Sequence, residues 1–277
     1  MIALTAIVLT QDEAGNISPC LRALAPAEDV IVVDSGSTDD TLALAKAARP
    51  GVRTFQHPFL DFGDQRNWAL DNCQPRHEWI LFVDADEYCD PELLVEIDGF
   101  IREPGSFVGG FIAGRNYFLG RWLKRCTMYP SYQLRLLKLG HVRYEKMGHG
   151  QREVTDGPLH YFRNGWRHES FSKGVEHWIE RHNRYSSAEV TRVLRLRSEP
   201  IEWGNLVARD AIARRRALKQ LSVRLPAGFA FRFVYLYLVR GGFLEGYPGL
   251  LYCLLMATHS INIQVKLAEA RLAELRK

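Results

Sequence analysis

The 277-residue chain lacks an apolar run suited to crossing a bilayer. Its longest uncharged stretch, Gly246–Val265, is interrupted by His259, Asn262 and Gln264. Cysteine is sparse: Cys20, Cys73, Cys89, Cys126 and Cys253 are odd in number, scattered, and include no Cys-x-x-Cys pair. That pattern argues against a disulfide framework or a structural zinc site and for reduced thiols. The glycine-rich phosphate loops are missing too. Val33-Asp34-Ser35-Gly36-Ser37 offers one glycine where G-x-G-x-x-G needs three, and no G-x-x-x-x-G-K-[ST] occurs. A nicotinamide-dependent dehydrogenase or a P-loop ATPase is disfavoured accordingly. The amino terminus has neither a basic leader nor a small-residue cleavage site and reads as a first strand, not a signal peptide. No internal repeat or low-complexity segment is present.

What stands out is Trp79-Ile80-Leu81-Phe82-Val83 running into Asp84-Ala85-Asp86-Glu87. A short apolar run rich in β-branched and aromatic residues predicts a central strand covered on both faces. The acids then lie at its carboxyl end, where open α/β sheets place their ligand crevices. Alternation along an extended chain puts Asp84 and Asp86 on one side. Two such carboxylates repel unless a Mg²⁺ or Mn²⁺, which also takes phosphate oxygens, sits between them.

The surrounding pattern supports that sheet. Strands are predicted at residues 2–9, 30–33, 52–55 and 134–137, with glycine-broken strands at 105–114 and 116–119. Helices are predicted over residues 42–48, 64–73 and 91–102, the last with Asp90 as cap and Pro91 in its first turn. A helix after the first strand is given Ser18 as cap and Pro19 as first residue, with Leu21 and Leu24 facing inward. Such alternation predicts a mostly parallel, doubly wound α/β sheet. From about Trp178 the pattern becomes helical, with an amphipathic helix across Val207–Leu221 and helices on a membrane or partner surface across Ala227–Ile263.

Charge is divided along the chain. Residues 1–110 hold 7 Lys and Arg against 19 Asp and Glu, and residues 111–277 hold 29 against 13. An acidic half able to hold a cation is joined to a basic half able to hold phosphates or an anionic surface.

Three motifs in order, Leu9-Thr10-Gln11-Asp12-Glu13-Ala14-Gly15-Asn16, Val32-Val33-Asp34-Ser35-Gly36-Ser37-Thr38-Asp39-Asp40-Thr41 and Phe82-Val83-Asp84-Ala85-Asp86-Glu87, give a chain that resembles the family 2 glycosyltransferases. Gly63-Asp64-Gln65-Arg66-Asn67, Phe171-Ser172-Lys173-Gly174 and His182-Asn183-Arg184-Tyr185-Ser186 extend the likeness toward the bacterial lipopolysaccharide-core β-glucosyltransferase type. The resemblance implies a GT-A nucleotide-sugar-binding fold over residues 1–190, with a nucleotide half at 1–110 and an acceptor half at 111–190. Residues 191–277 then form a helical, basic and apolar extension.

The resemblance also implies roles. The Thr10 backbone and the side chains of Glu13 and Asp34 would hold the uracil and ribose of a UDP-sugar. Asp86 would bind Mn²⁺ or Mg²⁺, with Asp84 toward the ribose and the metal's waters, and Arg66 would support the nucleotide or order Asp84. The residues themselves add Lys173 and His168, basic groups of the second half, as candidates to face the diphosphate, with His168 also a candidate third metal ligand. Related transferases tend to carry a His-Glu pair after the middle strands, but here Gly150 follows His149. Glu153 is therefore the first choice of general base, ahead of Glu145 and His149. The implied activity is metal-dependent, inverting sugar transfer to a glycan or lipid-linked acceptor in cell-envelope synthesis. The expected setting is peripheral, on the cytoplasmic face of the inner membrane, with homo-oligomers possible and no nucleic-acid partner. A sugar nucleotidyltransferase and a non-catalytic nucleotide-sugar-binding subunit are the rival readings. The first would need a Gly-rich, Arg-containing loop that Thr10–Asn16 does not supply.

Overall fold

The computed structural model describes residues 1–275 except 148–149, 209, 211–212, 215–216, 218–219, 222–223 and 225–227. The chain divides into two compact units, Met1–Lys124 with Met128–Gly174, and Arg125–Thr127 with Val175–Lys277.

In the first unit, β1 (Ile2–Thr10), β2 (Ala27–Asp34), β3 (Arg53–Gln56) and β4 (Trp79–Asp84) form the parallel half of a sheet ordered β3-β2-β1-β4. Both faces are covered, which is why β1 and β4 are apolar without alternation. Leu4, Ala6 and Val8 join Leu21, Leu81 and Val83 in one core layer, while Ile7 and Leu9 join Ile31, Val33, Ile80 and Phe82 in the other. Phe82 is 1% exposed, so Phe82→Ala would cost about 3–5 kcal/mol. The sheet continues through β8 (Tyr132–Lys138), β6 (Gly109–Phe118), β11 (Leu159–His168) and β5 (Glu87–Cys89). Here β4–β8, β8–β6 and β11–β5 are antiparallel and β6–β11 is parallel. A short β7 (Arg121–Trp122) pairs with β6, and β9 (Val142–Met147) and β10 (Gly150–Thr155) make a separate hairpin.

Helices α1 (Ile17–Ala23), α2 (Thr41–Ala48), α3 (Phe62–Asn72) and α4 (Pro91–Arg102) connect the strands. Asp61 caps α3 by accepting the Asp64 N–H at 2.9 Å, and Asp39 accepts the Thr41 N–H at 3.0 Å. Two predicted features differ. α1 starts at Ile17, with Asn16 in the N-cap position, because the Glu13 carbonyl already accepts the N–H groups of Asn16 and Ile17 at 2.9 Å. Ser18 and Pro19 therefore lie inside its first turn. The glycines at 109, 110 and 114 do not break a strand but sit within β6, beneath the large side chains of β11. A Cβ at Gly110 would lie 2.3 Å from the Phe162 ring and one at Gly114 2.6 Å from Trp166 Nε1.

The second unit is helical: α5 (Gly174–Ser198), a 3₁₀ turn (Trp203–Val207), α6 (Gly228–Val234), a π-helical turn (Tyr235–Val239), a 3₁₀ turn (Gly242–Glu245) and α7 (Gly246–Leu275). Much of the helix predicted over Val207–Leu221 falls outside the described residues. Among the described residues no helix is long and apolar enough to cross a membrane. All five cysteines are buried thiols.

Candidate active site

Parallel pairing sets Thr10 beside Asp34 and Leu9 beside Asp84 at one edge of the sheet. The loops leaving β1 and β2 are tied together there. Asp12 Oδ1 accepts the Thr38 N–H at 2.7 Å, Thr41 Oγ1 accepts the Glu13 N–H at 2.7 Å, and Asp39 Oδ2 accepts the Ala14 N–H at 3.1 Å. Asp12 holds φ 52°, the left-handed backbone that Asp tolerates better than most residues. Asp34 is fully buried, and its carboxylate accepts the N–H groups of Gly36 (3.1 Å) and Ser37 (2.9 Å) and the Ser37 hydroxyl. The Thr10 carbonyl accepts the Ser35 N–H at 2.9 Å, while Thr10 Oγ1 is buried without a hydrogen-bond partner.

The acids after β4 do not stay on one extended strand. The strand ends at Asp84, residues 85–86 turn, and Glu87 begins β5, so alternation does not govern Asp84 and Asp86. Asp84 presents one oxygen to Arg66 (3.2 Å) and the other to Arg135 (2.7 Å). Arg135 also reaches Glu87 at 2.7 Å, stacks over Trp166 at 5.3 Å and is 3% exposed. Burial works against the Asp84 charge, but Arg135 and Arg66 outweigh it and hold this carboxyl far below its ordinary range. For Glu87 burial wins over Arg135, with Asp84 adding to it, and the carboxyl is pushed up to about 7.

Asp86 meets His168 instead, Oδ2 to Nε2, at 3.3 Å. Burial lowers the His168 pKa, yet Asp86, Glu87 and Asp84 drive it up to about 9. A positive charge is thus favoured at this position among three carboxylates. That electrostatic demand, and a donor set of one carboxylate and one imidazole, fit a divalent cation such as Mn²⁺. No group of three His, Cys, Asp or Glu able to hold a metal occurs among the described residues, so a cation here would take further ligands from a bound substrate or water. Asp84 fits the ligand role less well, because both its oxygens are engaged by arginines.

Lys173 Nζ reaches Glu13 Oε1 at 2.6 Å and the Gln11 carbonyl at 3.0 Å, in the loop after β1. Asn16 donates to Glu13 (2.5 Å) and Ser172 (2.7 Å) and accepts from the Tyr88 hydroxyl (2.8 Å). Burial raises the Glu13 pKa, with Lys173 and Asn16 working against the rise.

The hairpin separates the proposed bases. Asn67 docks it, donating to the Tyr144 carbonyl at 2.8 Å and accepting the Tyr144 N–H at 3.1 Å. Register pairs Glu153 with Tyr144 and Arg152 with Glu145, so Glu153 shares the face of Tyr144, which packs on Phe82. Gln151, two residues away on that face, accepts from Arg66 at 2.8 Å and donates to Glu153 at 3.3 Å. Glu153 therefore connects through Gln151 and Arg66 to Asp84. Glu145 is exposed on the opposite face, and His149 lies outside the described residues.

The sequence reading missed Arg135, the Glu87 ion pair, Gln151 and Asn16. Only Asn16 and Glu87 lay within motifs already marked. Arg135 sits in Leu134-Arg135-Leu136-Leu137, where one charge inside an apolar strand was the available signal. A surface depression lined by Met1, His77 and Trp79 lies at the amino-terminal end of the strands, away from these groups.

A mixed, largely parallel sheet that gathers its acids and their loops at the carboxyl ends of the strands is the GT-A arrangement, and the glycosyl transferase family 2 model matches residues 5–171. The chain belongs to that family. Among curated relatives it is 29% identical over 148 residues to the lipopolysaccharide core biosynthesis glycosyltransferase LpsC of Rhizobium meliloti (strain 1021), covering 52% of this chain and 54% of that protein. It is 36% identical over 99 residues to an uncharacterized glycosyltransferase of Rickettsia felis, covering 35% and 34%. The chain thus spans about half or less of the length of these relatives. The solved structure of S. aureus TarS 1–349 aligns with 99% of this chain and 92% of that one, at 17% identity and a TM-score of 0.45. Glucosyl-3-phosphoglycerate synthase from Mycobacterium tuberculosis, in complex with Mn²⁺, UDP and phosphoglyceric acid, aligns with 41% of this chain and 43% of that one, at 20% identity and a TM-score of 0.34.

Proposed function

We propose that the protein is a metal-dependent, inverting glycosyltransferase that moves a sugar from a UDP-sugar to a glycan or lipid-linked acceptor of the cell envelope. The observation carrying this reading is the convergence of Asp34, Asp84, Asp86, His168 and Lys173 on the carboxyl edge of the sheet. The likeness to LpsC supports the acceptor class.

Asp86 and His168 would hold Mn²⁺ or Mg²⁺, which when bound supplies Lewis-acid stabilisation of charge on the departing diphosphate. Asp84 stays ionised under Arg66 and Arg135, and its remaining lone pairs accept a ribose hydroxyl. Lys173 exchanges Glu13 for a diphosphate oxygen, releasing Glu13 toward the nucleoside. Glu153, on the crevice face of the hairpin, takes the acceptor hydroxyl proton as that oxygen attacks the anomeric carbon from the side opposite the diphosphate. Release of UDP from a UDP-sugar in the presence of acceptor tests the reading; nucleotide transfer to a sugar phosphate, or donor binding without turnover, would replace it with one of the rivals.

The setting belongs to the same proposal: peripheral association with the cytoplasmic face of the inner membrane. Large apolar side chains exposed in the second unit and cations such as Arg214 and Arg224 support it. Arg215, Arg216 and Lys219, which add to the same basic stretch of the sequence, lie outside the described residues.

A further inference from the structure

We propose that residues 235–247 form a fixed, membrane-inserted tip of the second unit, seated in the headgroup and upper acyl layer of an anionic bilayer. The inference rests on the peripheral-membrane reading and specifies its contact. Leu238 (56% exposed), Val239 (70%), Phe243 (49%), Leu244 (54%) and Tyr247 (68%) crowd this short segment. Its polar side chains are three tyrosines, Arg240 and Glu245. Tyrosine and arginine suit a membrane interface, where apolar body and polar end meet different layers.

The single carboxylate is removed from the surface. Glu245 is 5% exposed and accepts the N–H groups of Arg125 at 2.6 Å and Cys126 at 3.0 Å. It is the only acid between Gly228 and Gln264, so this stretch exposes no carboxylate to an anionic surface. Cations remain beside these apolar side chains: Arg240 within the segment, and Arg125, whose guanidinium lies 3.2 Å from where a Gly241 Cβ would be.

The tip is tightly wound. Gly241 and Gly246 take positive φ, 76° and 67°. A Cβ at Gly242 would lie 2.8 Å from the Leu236 carbonyl oxygen, and one at Gly249 2.4 Å from that of Gly242. Helical turns satisfy most of their backbone groups internally, as insertion requires. A twofold contact between copies is disfavoured, because an isologous interface would set arginines against a face without exposed acids.

The test is flotation of the full chain with vesicles of phosphatidylcholine alone or mixed with phosphatidylglycerol, comparing wild type with F243D/L244D. Both side chains are about half exposed, so the variant should keep its circular dichroism spectrum and UDP binding. Wild type is expected to float with the anionic vesicles, and the variant to partition about tenfold less or weaker still. Leu238→Trp should blue-shift its emission on adding vesicles. Wild-type-like flotation of the double variant overturns the tip and leaves the peripheral reading standing. No wild-type flotation overturns both. A dimer in sedimentation that F243D/L244D dissolves assigns the face to a second copy and overturns the tip.

Discussion

Arg135→Met should unsettle the site more than any change to the acids themselves. Arg135 is 3% exposed and makes two 2.7 Å ion pairs, one to Asp84 and one to Glu87, the latter 2% exposed. In the variant Asp84 keeps Arg66, whereas Glu87 keeps only the Asp84 N–H at 3.0 Å. Removing one partner of a buried ion pair costs about 3–5 kcal/mol, because the stranded group remains without its counter-charge. For a unit of this size that corresponds to roughly 6–20 °C in Tm, read by thermal unfolding under circular dichroism. The second variant, E87Q/R135M, removes the carboxyl that R135M can bury only by protonating it, a cost that grows above pH 7, and there it should be more stable than R135M by at least about 1 kcal/mol, a non-additivity expected of groups in contact. An R135M protein within about 1 kcal/mol of wild type, or a double variant showing the full sum of two losses, would refute the argument that this cluster is held by charge neutralisation.

Other outcomes follow from the same geometry. Asp86→Ala and His168→Ala should each remove the dependence of UDP binding on Mn²⁺, measured by calorimetry; equal wild-type affinity with and without the metal would contradict this. Glu153→Gln should retain donor binding while sugar transfer falls about 10²–10⁴-fold, and Glu145→Gln, on the outward face, should stay near wild type. His182 stacks on Trp178 at 3.4 Å, and burial lowers its pKa from 6.5 to about 4. The unfolded chain therefore binds the extra proton between those values, so this contribution to stability is present above pH 6.5 and is lost as pH falls toward 4. His182→Gln should flatten that part of the stability-against-pH curve; an unchanged slope would count against it.

The parallel half of the sheet was legible because burial on both faces leaves unbroken apolar runs, and Trp79–Val83 with its acids marked the acid-bearing edge directly. The helices at Pro91–Arg102 and Thr41–Ala48 were readable from local chemistry, although the Asp90 side chain, expected as a cap, makes no cap bond and pairs with Arg115 instead. What stayed hidden depends on pairing across long separations. Arg135 meets Asp84 and Glu87 across about fifty residues, and the lone charge in Leu134–Leu137 says that a partner is needed but not which one. The turn at 85–86 defeated alternation, since a strand reading carries the chain straight on through Asp86. In β6 the glycines looked like breaks because the aromatics that need their space, Phe162 and Trp166, belong to a strand some fifty residues later. The ranking of Glu153 over Glu145 was made on chemistry alone, and only the hairpin register sets the two on opposite faces.

The most direct measurement is thermal stability of the full chain against a panel of nucleotide sugars, each with Mn²⁺ and with a chelator. A ligand at about 100 times its Kd adds about 2.7 kcal/mol to stability. A UDP-sugar should therefore raise Tm by several degrees with Mn²⁺, far less with the chelator, and not at all in Asp86→Ala. No shift with any nucleotide sugar, or one that persists unchanged in the chelator and in Asp86→Ala, would contradict a metal-dependent donor site at this edge of the sheet.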